Sequence, residues 1–351
     1  MKKNFALVLS FSLILTSIIS LSSFASARTD YPDSNYNTEI YQEAASYVDE
    51  IYTNMSNEEK SKLVEELYNE KSEITPVAKS KTDVNRSNAE IDEAYDYVMK
   101  EENYIVELIN GLGENTDLNN WEFNLQYLKN NIDTIKNKAD VNLSYVDSYI
   151  EAYEWVKLNE SMPDQKVNQS AMNITTAAEV MATSYSYSDA VSYANKYYKN
   201  YNSNYPDWNS AGGDCANFIS QCLYAGGKSM KGTPGTKEAA ENFANWFSKG
   251  TSQNVNNVSS TWRGADAFRN YWQTNATSYK KFTSVDSKSF AYGYKGDAVS
   301  LLNSNGRAYH TMIIVGYSSP DFTLAAHTGS TNSAKLSEKA SSNGFIIYNM
   351  R

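Results

Sequence analysis

Gly212-Gly213-Asp214-Cys215-Ala216-Asn217-Phe218-Ile219-Ser220-Gln221-Cys222-Leu223-Tyr224-Ala225-Gly226-Gly227 is the stretch on which the reading of this chain turns. Glycine pairs bracket it. Gly212 and Gly213 permit a tight turn into a helix over 214–225, and Gly226-Gly227 can close that helix. Phe218, Ile219, Cys222 and Leu223 recur at helical spacing, so the helix has a face to bury. Cys215 falls in its first turn, where the positive end of the helix dipole favours thiolate over thiol. Asp214 is placed to cap the helix and is not expected to act as a catalytic acid.

Outward from this helix, the texture from Tyr185 onward is aromatic, glycine-rich and marked by short apolar runs. Ala190, Tyr193, Ala194 and Tyr197 predict a helix before it, and Trp262 to Trp272 another after it. Past Gly296, strands are expected over 297–302, 310–317, 322–327 and 344–348. Helices first and an antiparallel sheet afterwards is the pattern of an α+β domain.

The chain has two cysteines and two histidines. Cys215 and Cys222 stand seven residues apart on one predicted helix, or ~10.5 Å along its axis, and a disulfide needs Cα atoms ~4.4–6.8 Å apart. Both thiols therefore stay free. Cys222 reads as a small buried hydrophobe, and Cys215 as a reactive group. A thiolate needs a partner that accepts and returns protons. His310 and His327 sit on two strands joined by a turn at Ser318-Ser319-Pro320-Asp321, so a hairpin would set the two imidazoles opposite each other or within a residue or two. One can then serve Cys215 as base while the other orients it.

Residues 212–227, the Gly-Asp-Ala-Val strand start, Tyr-His-Thr-Met-Ile-Ile-Val and Ala-Ala-His-Thr together resemble the putative amidase domain family of Gram-positive bacteria, a relative of the NlpC/P60 and CHAP peptidases. The resemblance covers residues 185–351. It implies a papain-like fold with helices packed on an antiparallel sheet, Cys215 as nucleophile, His310 as base and His327 as the polar third residue. Related domains vary at the third position, and Asn332 lies just downstream. Asp214, Asn217, Ser220 and Gln221 match the family's helix motif without being catalytic on that account. The signature around the cysteine of papain itself is absent, and the Cys-to-His interval is shorter than in that group, which favours a small domain of cell-wall type.

The oxyanion of an attacked carbonyl needs donors. The Cys215 amide at a helix start is one, and Asn209, six residues upstream, is a candidate for the second; as an ordinary turn residue it has a simpler explanation. Two other functions remain open. Cys215, His310 and His327 could ligate a catalytic zinc, although no glutamate base stands beside a histidine. The abundant Tyr and Trp could instead build a non-catalytic wall-binding surface, although burial is their commoner use. The thiol mechanism requires no cofactor.

Before residue 185 the chain differs in kind. Lys2 and Lys3 precede an apolar run from Phe5 to Leu21 that ends in Ala25-Ser26-Ala27, so residues 1–27 read as a signal peptide and the protein as secreted, extracellular or held in the wall. Residues 28–160 read as a helical region without cysteine or histidine. The capping box Ser56-Asn57-Glu58-Glu59 starts one helix, and others run near 89–112, through Trp121 to Ile132, and through Tyr145 to Val156. Wall binding, a spacer or a pro-segment would suit this region. Residues 161–184, with Pro163 and many small polar residues, read as a linker, so residues 185–351 are expected to fold and work alone. The formal charge of −10 gives no reason to seek nucleic acid. No apolar run after the leader is long enough to span a bilayer. Peptidoglycan or a peptide is the expected substrate.

Overall fold

A computed structural model describes residues 38–72, 81–160, 165–167, 185–209, 213–318, 320–327 and 330–351. The expected signal peptide over 1–27 lies outside the described residues, as does the expected linker over 161–184 apart from 165–167. That short piece is not coil: Gln165–Val167 (β1) pairs antiparallel with Ser278–Phe282 (β2). The four expected strands appear as Ala298–Leu302 (β3), Ala308–Tyr317 (β4), Phe322–Ala326 (β5) and Phe345–Asn349 (β7). Sequence reasoning missed β2 and Thr331–Lys335 (β6), whose polar Ser-Tyr-Lys-Lys-Phe and Thr-Asn-Ser-Ala-Lys runs carry little apolar alternation. The strands form one antiparallel sheet in the order β1-β2-β7-β3-β4-β5-β6.

β3, β5 and β7 are buried along their whole length, so both sheet faces must be covered, and their alternate residues go to two different cores. Ala298, Leu302, Ile313, Ala325, Ile346 and Tyr348 meet the helices of the C-terminal half on the inner face. Tyr187–Tyr197 (α6) and Cys215–Ala225 (α7) cover that face together with Ser260–Arg263 (α9) and Ala265–Asn275 (α10). The last two replace the single helix expected over 262–272: Gly264, with extended φ and ψ of −109° and 130°, breaks it. Two short helices, Lys237–Glu241 (α8) and Ser287–Tyr292 (α11), lie in the connections.

The outer face is closed by the N-terminal helices. Thr38–Ile51 (α1), Asn57–Ser72 (α2) and Lys81–Gly111 (α3) bring Ile40, Tyr68 and Val98 onto Val299, Leu301, Met312, Ile314, Phe322, Leu324 and Ile347. Trp121–Lys136 (α4) and Leu143–Glu160 (α5) pack on α3 through Ile105, Ile109, Leu128, Tyr149 and Tyr153. The expected capping box begins α2: the Ser56 amide donates to Glu59 Oε2 at 3.0 Å and the Glu59 amide to Ser56 Oγ at 3.3 Å. Residues 39–351 thus form one compact unit. A sheet buried on both faces needs a second layer, and the helices of residues 38–160 supply it. Among the described residues no helix is long and apolar enough to cross a membrane.

Gly344 stands directly before β7 in a position that only glycine fits. Its φ is +88°, and a Cβ there would stand 2.4 Å from the Phe282 carbonyl oxygen on β2. Gly344→Ala is expected to cost roughly 1–3 kcal/mol from backbone strain, with the clash in addition, read as a lowered unfolding midpoint.

Candidate active site

Cys215 opens α7, and the approach to it turns at Gly213 with φ +108°. Asp214 precedes the helix but caps nothing with its side chain, which corrects the sequence expectation. Its carboxylate turns inward, fully buried. Oδ1 accepts from the Trp208 amide and from Asn217 Nδ2, both at 2.8 Å, and Oδ2 accepts from His327 Nδ1 at 2.7 Å. The other polar residues of the helix motif also anchor the helix. Asn217 Oδ1 accepts from Trp262 Nε1 at 2.9 Å, Ser220 Oγ donates to the Trp262 carbonyl at 2.9 Å, and Gln221 Oε1 accepts from the Tyr193 hydroxyl at 2.7 Å.

His327 is therefore seated beside the first turn of α7. Its ring stacks on Phe218 with centroids 3.9 Å apart, and Tyr201 lies against it at 4.5 Å. Its Nε2 lies 2.7 Å from the carbonyl of Tyr197, the last residue of α6, and donates to it.

The β4–β5 register separates the two histidines. Ile313 pairs with Ala325 and both enter the inner core. Two residues further along each strand, Thr311 and His327 fall on that same inner face; Thr311 approaches Cys215, and His327 meets Asp214 and Phe218. His310 is one residue off. It pairs with Leu301, and the ladder slips between Leu301 and Leu302, whose partner is Ala308, so Tyr309 and His310 form a bulge. Leu301 and Met312 belong to the outer core, and His310 shares their side. The hairpin expected from sequence exists, but an offset of one residue sends its imidazoles to opposite faces. His310 is fully buried with neither ring nitrogen hydrogen-bonded. Burial, with Lys339 nearby, pushes its pKa down to about 3, so it is neutral.

Cys215 is only 5% exposed. Burial raises its pKa above the usual thiol value; the Thr311 hydroxyl, the Thr311 main chain and the Ala216 main chain pull it back, and Asp214 pushes it up. The expected depression at a helix start is outweighed here by desolvation. Cys222 is wholly buried, and desolvation lifts its thiol far higher, in keeping with a packing role. The two remaining sequence candidates point elsewhere. Asn209 is exposed and gives its Nδ2 to the Tyr201 hydroxyl, and Asn332 Nδ2 donates to Asn195 Oδ1 at 3.3 Å on α6. Among the described residues no three His, Cys, Asp or Glu side chains gather as a metal would need, and His310 stands on the wrong face to join Cys215 and His327.

Sequence reasoning thus missed the roles of Asp214, Tyr197 and Thr311. Asp214 could have been found as an acid directly before the cysteine; nothing marked the Tyr197 carbonyl.

Residues 184–348 match the sequence model of a family described as a putative amidase domain, a span just under half of the chain. The match supports an amidase-like family and a hydrolase. No curated protein and no solved structure matches the chain.

Proposed function

We propose that the protein is a cysteine-dependent amide hydrolase in which Cys215 is the nucleophile and His327, oriented by Asp214, moves the proton. The observation that carries this reading is the buried Asp214–His327 pair at 2.7 Å, set against the helix turn that begins with a cysteine. In the reaction His327 Nε2 takes the Cys215 thiol proton, the thiolate attacks the amide carbon, and the oxyanion forms near the N–H groups of the α7 N-terminus. His327 gives its Nε2 proton to the leaving nitrogen as the C–N bond breaks. Neutral His327 then takes a proton from water, whose oxygen attacks the thioester and releases the acid and Cys215. For this, Nε2 must exchange the Tyr197 carbonyl for the reacting groups, a tightening that catalytic hydrogen bonds commonly undergo when substrate binds.

Export and a peptidoglycan substrate, cut at the glycan-to-peptide amide or within the stem peptide, belong to the same proposal. The leader-like residues 1–27 and the resemblance to NlpC/P60 and CHAP domains support them. The zinc reading is disfavoured by the separation of the histidines.

A second reading has one observation in its favour. His310 keeps both ring nitrogens free and sits on a bulge, where strands re-aim side chains. Turned inward, it would be the base, with His327 as the orienting third residue. Two variants separate the readings. If His327 moves the proton, His327→Ala and His327→Asn both lose roughly 10³-fold or more in kcat/KM, because asparagine cannot titrate, and His310→Ala stays active. If His310 is the base, His310→Ala is inactive and His327→Asn is milder than His327→Ala, since an amide still hydrogen-bonds an imidazole.

A further inference from the structure

Thr311 carries a buried hydroxyl that makes no well-formed hydrogen bond, although it comes close enough to the Cys215 thiol to lower its pKa. Unsatisfied buried hydroxyls are costly, and such a group calls for an explanation. Its position supplies one. Thr311 pairs with Ser300 on β3, whose hydroxyl accepts from Tyr348 in the inner core at 3.0 Å, so Thr311 also faces inward. The group in front of it there is the Cys215 thiol, which both its hydroxyl and its main chain approach. A neutral thiol is a weak acceptor, and a thiolate is a strong one.

We propose that Thr311 is a catalytic residue whose hydroxyl donates a hydrogen bond to the Cys215 thiolate. When the thiol proton passes to the histidine base, negative charge appears on an Sγ whose residue is almost wholly buried. Asp214 stands on one side of that charge and opposes it. The N–H groups of the first turn of α7 and the Thr311 hydroxyl are the donors that offset it. The hydroxyl makes no well-formed hydrogen bond in the thiol state and is engaged in the thiolate state, so its contribution falls on the form that reacts. Thr311→Val keeps the shape and the β-branch and removes the donor, whereas Thr311→Ser keeps the donor.

The inference rests on Cys215 as the nucleophile, and its test reads the thiol itself. The full chain labelled with ¹³Cβ-cysteine gives two signals, assigned with Cys215→Ser, and the Cys215 shift is followed against pH. Thr311→Val is expected to move the midpoint up by about one unit, a tenfold loss of thiolate at a given pH below it, with Thr311→Ser near the parent protein. An unchanged midpoint in Thr311→Val, or an equal shift in both variants, would overturn the role. Should Cys215→Ala keep its activity, the hydrolase mechanism fails, while the titration still decides whether Thr311 holds the thiolate. Circular dichroism of each variant checks that the fold survives the change.

Discussion

Residues 185–351 produced without the preceding helices are expected to collect as insoluble protein or to unfold well below the melting temperature of the full chain. The cause is the outer face of the sheet. Val299, Leu301, Met312, Ile314, Leu324 and Ile347 lie in a core closed by Ile40, Tyr68 and Val98, and a contiguous apolar face of that kind in water drives aggregation. Buried charges add to the cost. Arg307 donates to Glu101 Oε1 at 2.6 Å and to Ser148 Oγ at 3.1 Å, and Arg351 holds both oxygens of Glu70 at 2.7 and 2.9 Å. Lys71 Nζ donates to the Phe290 carbonyl at 2.7 Å. Truncation leaves both arginines without their carboxylates. Glu101→Ala tests one of these contacts alone and should cost less in urea unfolding than the ~3–5 kcal/mol of a fully orphaned buried charge, because Glu102 Oε1 stays 3.8 Å from Arg307. A soluble 185–351 fragment that melts with the full chain would contradict this dependence; one more active than the full chain would mark the helices as a pro-segment.

Cys215→Ala is expected to lower amide hydrolysis by roughly 10⁴-fold or more, since loss of the nucleophile removes the covalent route and not merely its tuning. The substitution is sterically mild at the first position of α7, so circular dichroism and melting should change little. Cys222→Ala, by contrast, should leave turnover near normal and act on stability, because its side chain is wholly buried in the inner core. Reagents should follow the same division: chelators leave activity intact, and iodoacetamide removes it as Cys215 is alkylated. Its 5% exposure makes that alkylation slow.

The α+β class, the four apolar strands and the cysteine-led helix were legible because each has a local signature: period, punctuating glycine, or a reactive residue at a helix start. The polar strands β2 and β6 have none, and neither does the broken helix at Gly264, where one residue decides between one helix and two. The site was half legible. Cys215 and His327 could be named as candidates from residue type, but which imidazole lies on the helix side of the sheet depends on a bulge at Tyr309 and His310, and a shift of one residue reverses it. Asp214 was read by its position as a helix cap. Its actual partner lies 113 residues away, and such pairings are written in the tertiary fold. The covering of the outer face was hidden for the same reason: the N-terminal helices show an apolar stripe but not the surface that receives it.

The central claim is that hydrolysis passes through the Cys215 sulfur, and it is tested most directly by incubating the full chain with peptidoglycan sacculi and reading the released fragments by mass spectrometry, with Cys215→Ala in parallel. The account predicts fragments with a new amine and a new carboxylate from the parent protein in the presence of chelator, and none from Cys215→Ala. Equal release by the folded Cys215→Ala protein, or release that chelator abolishes, would contradict it.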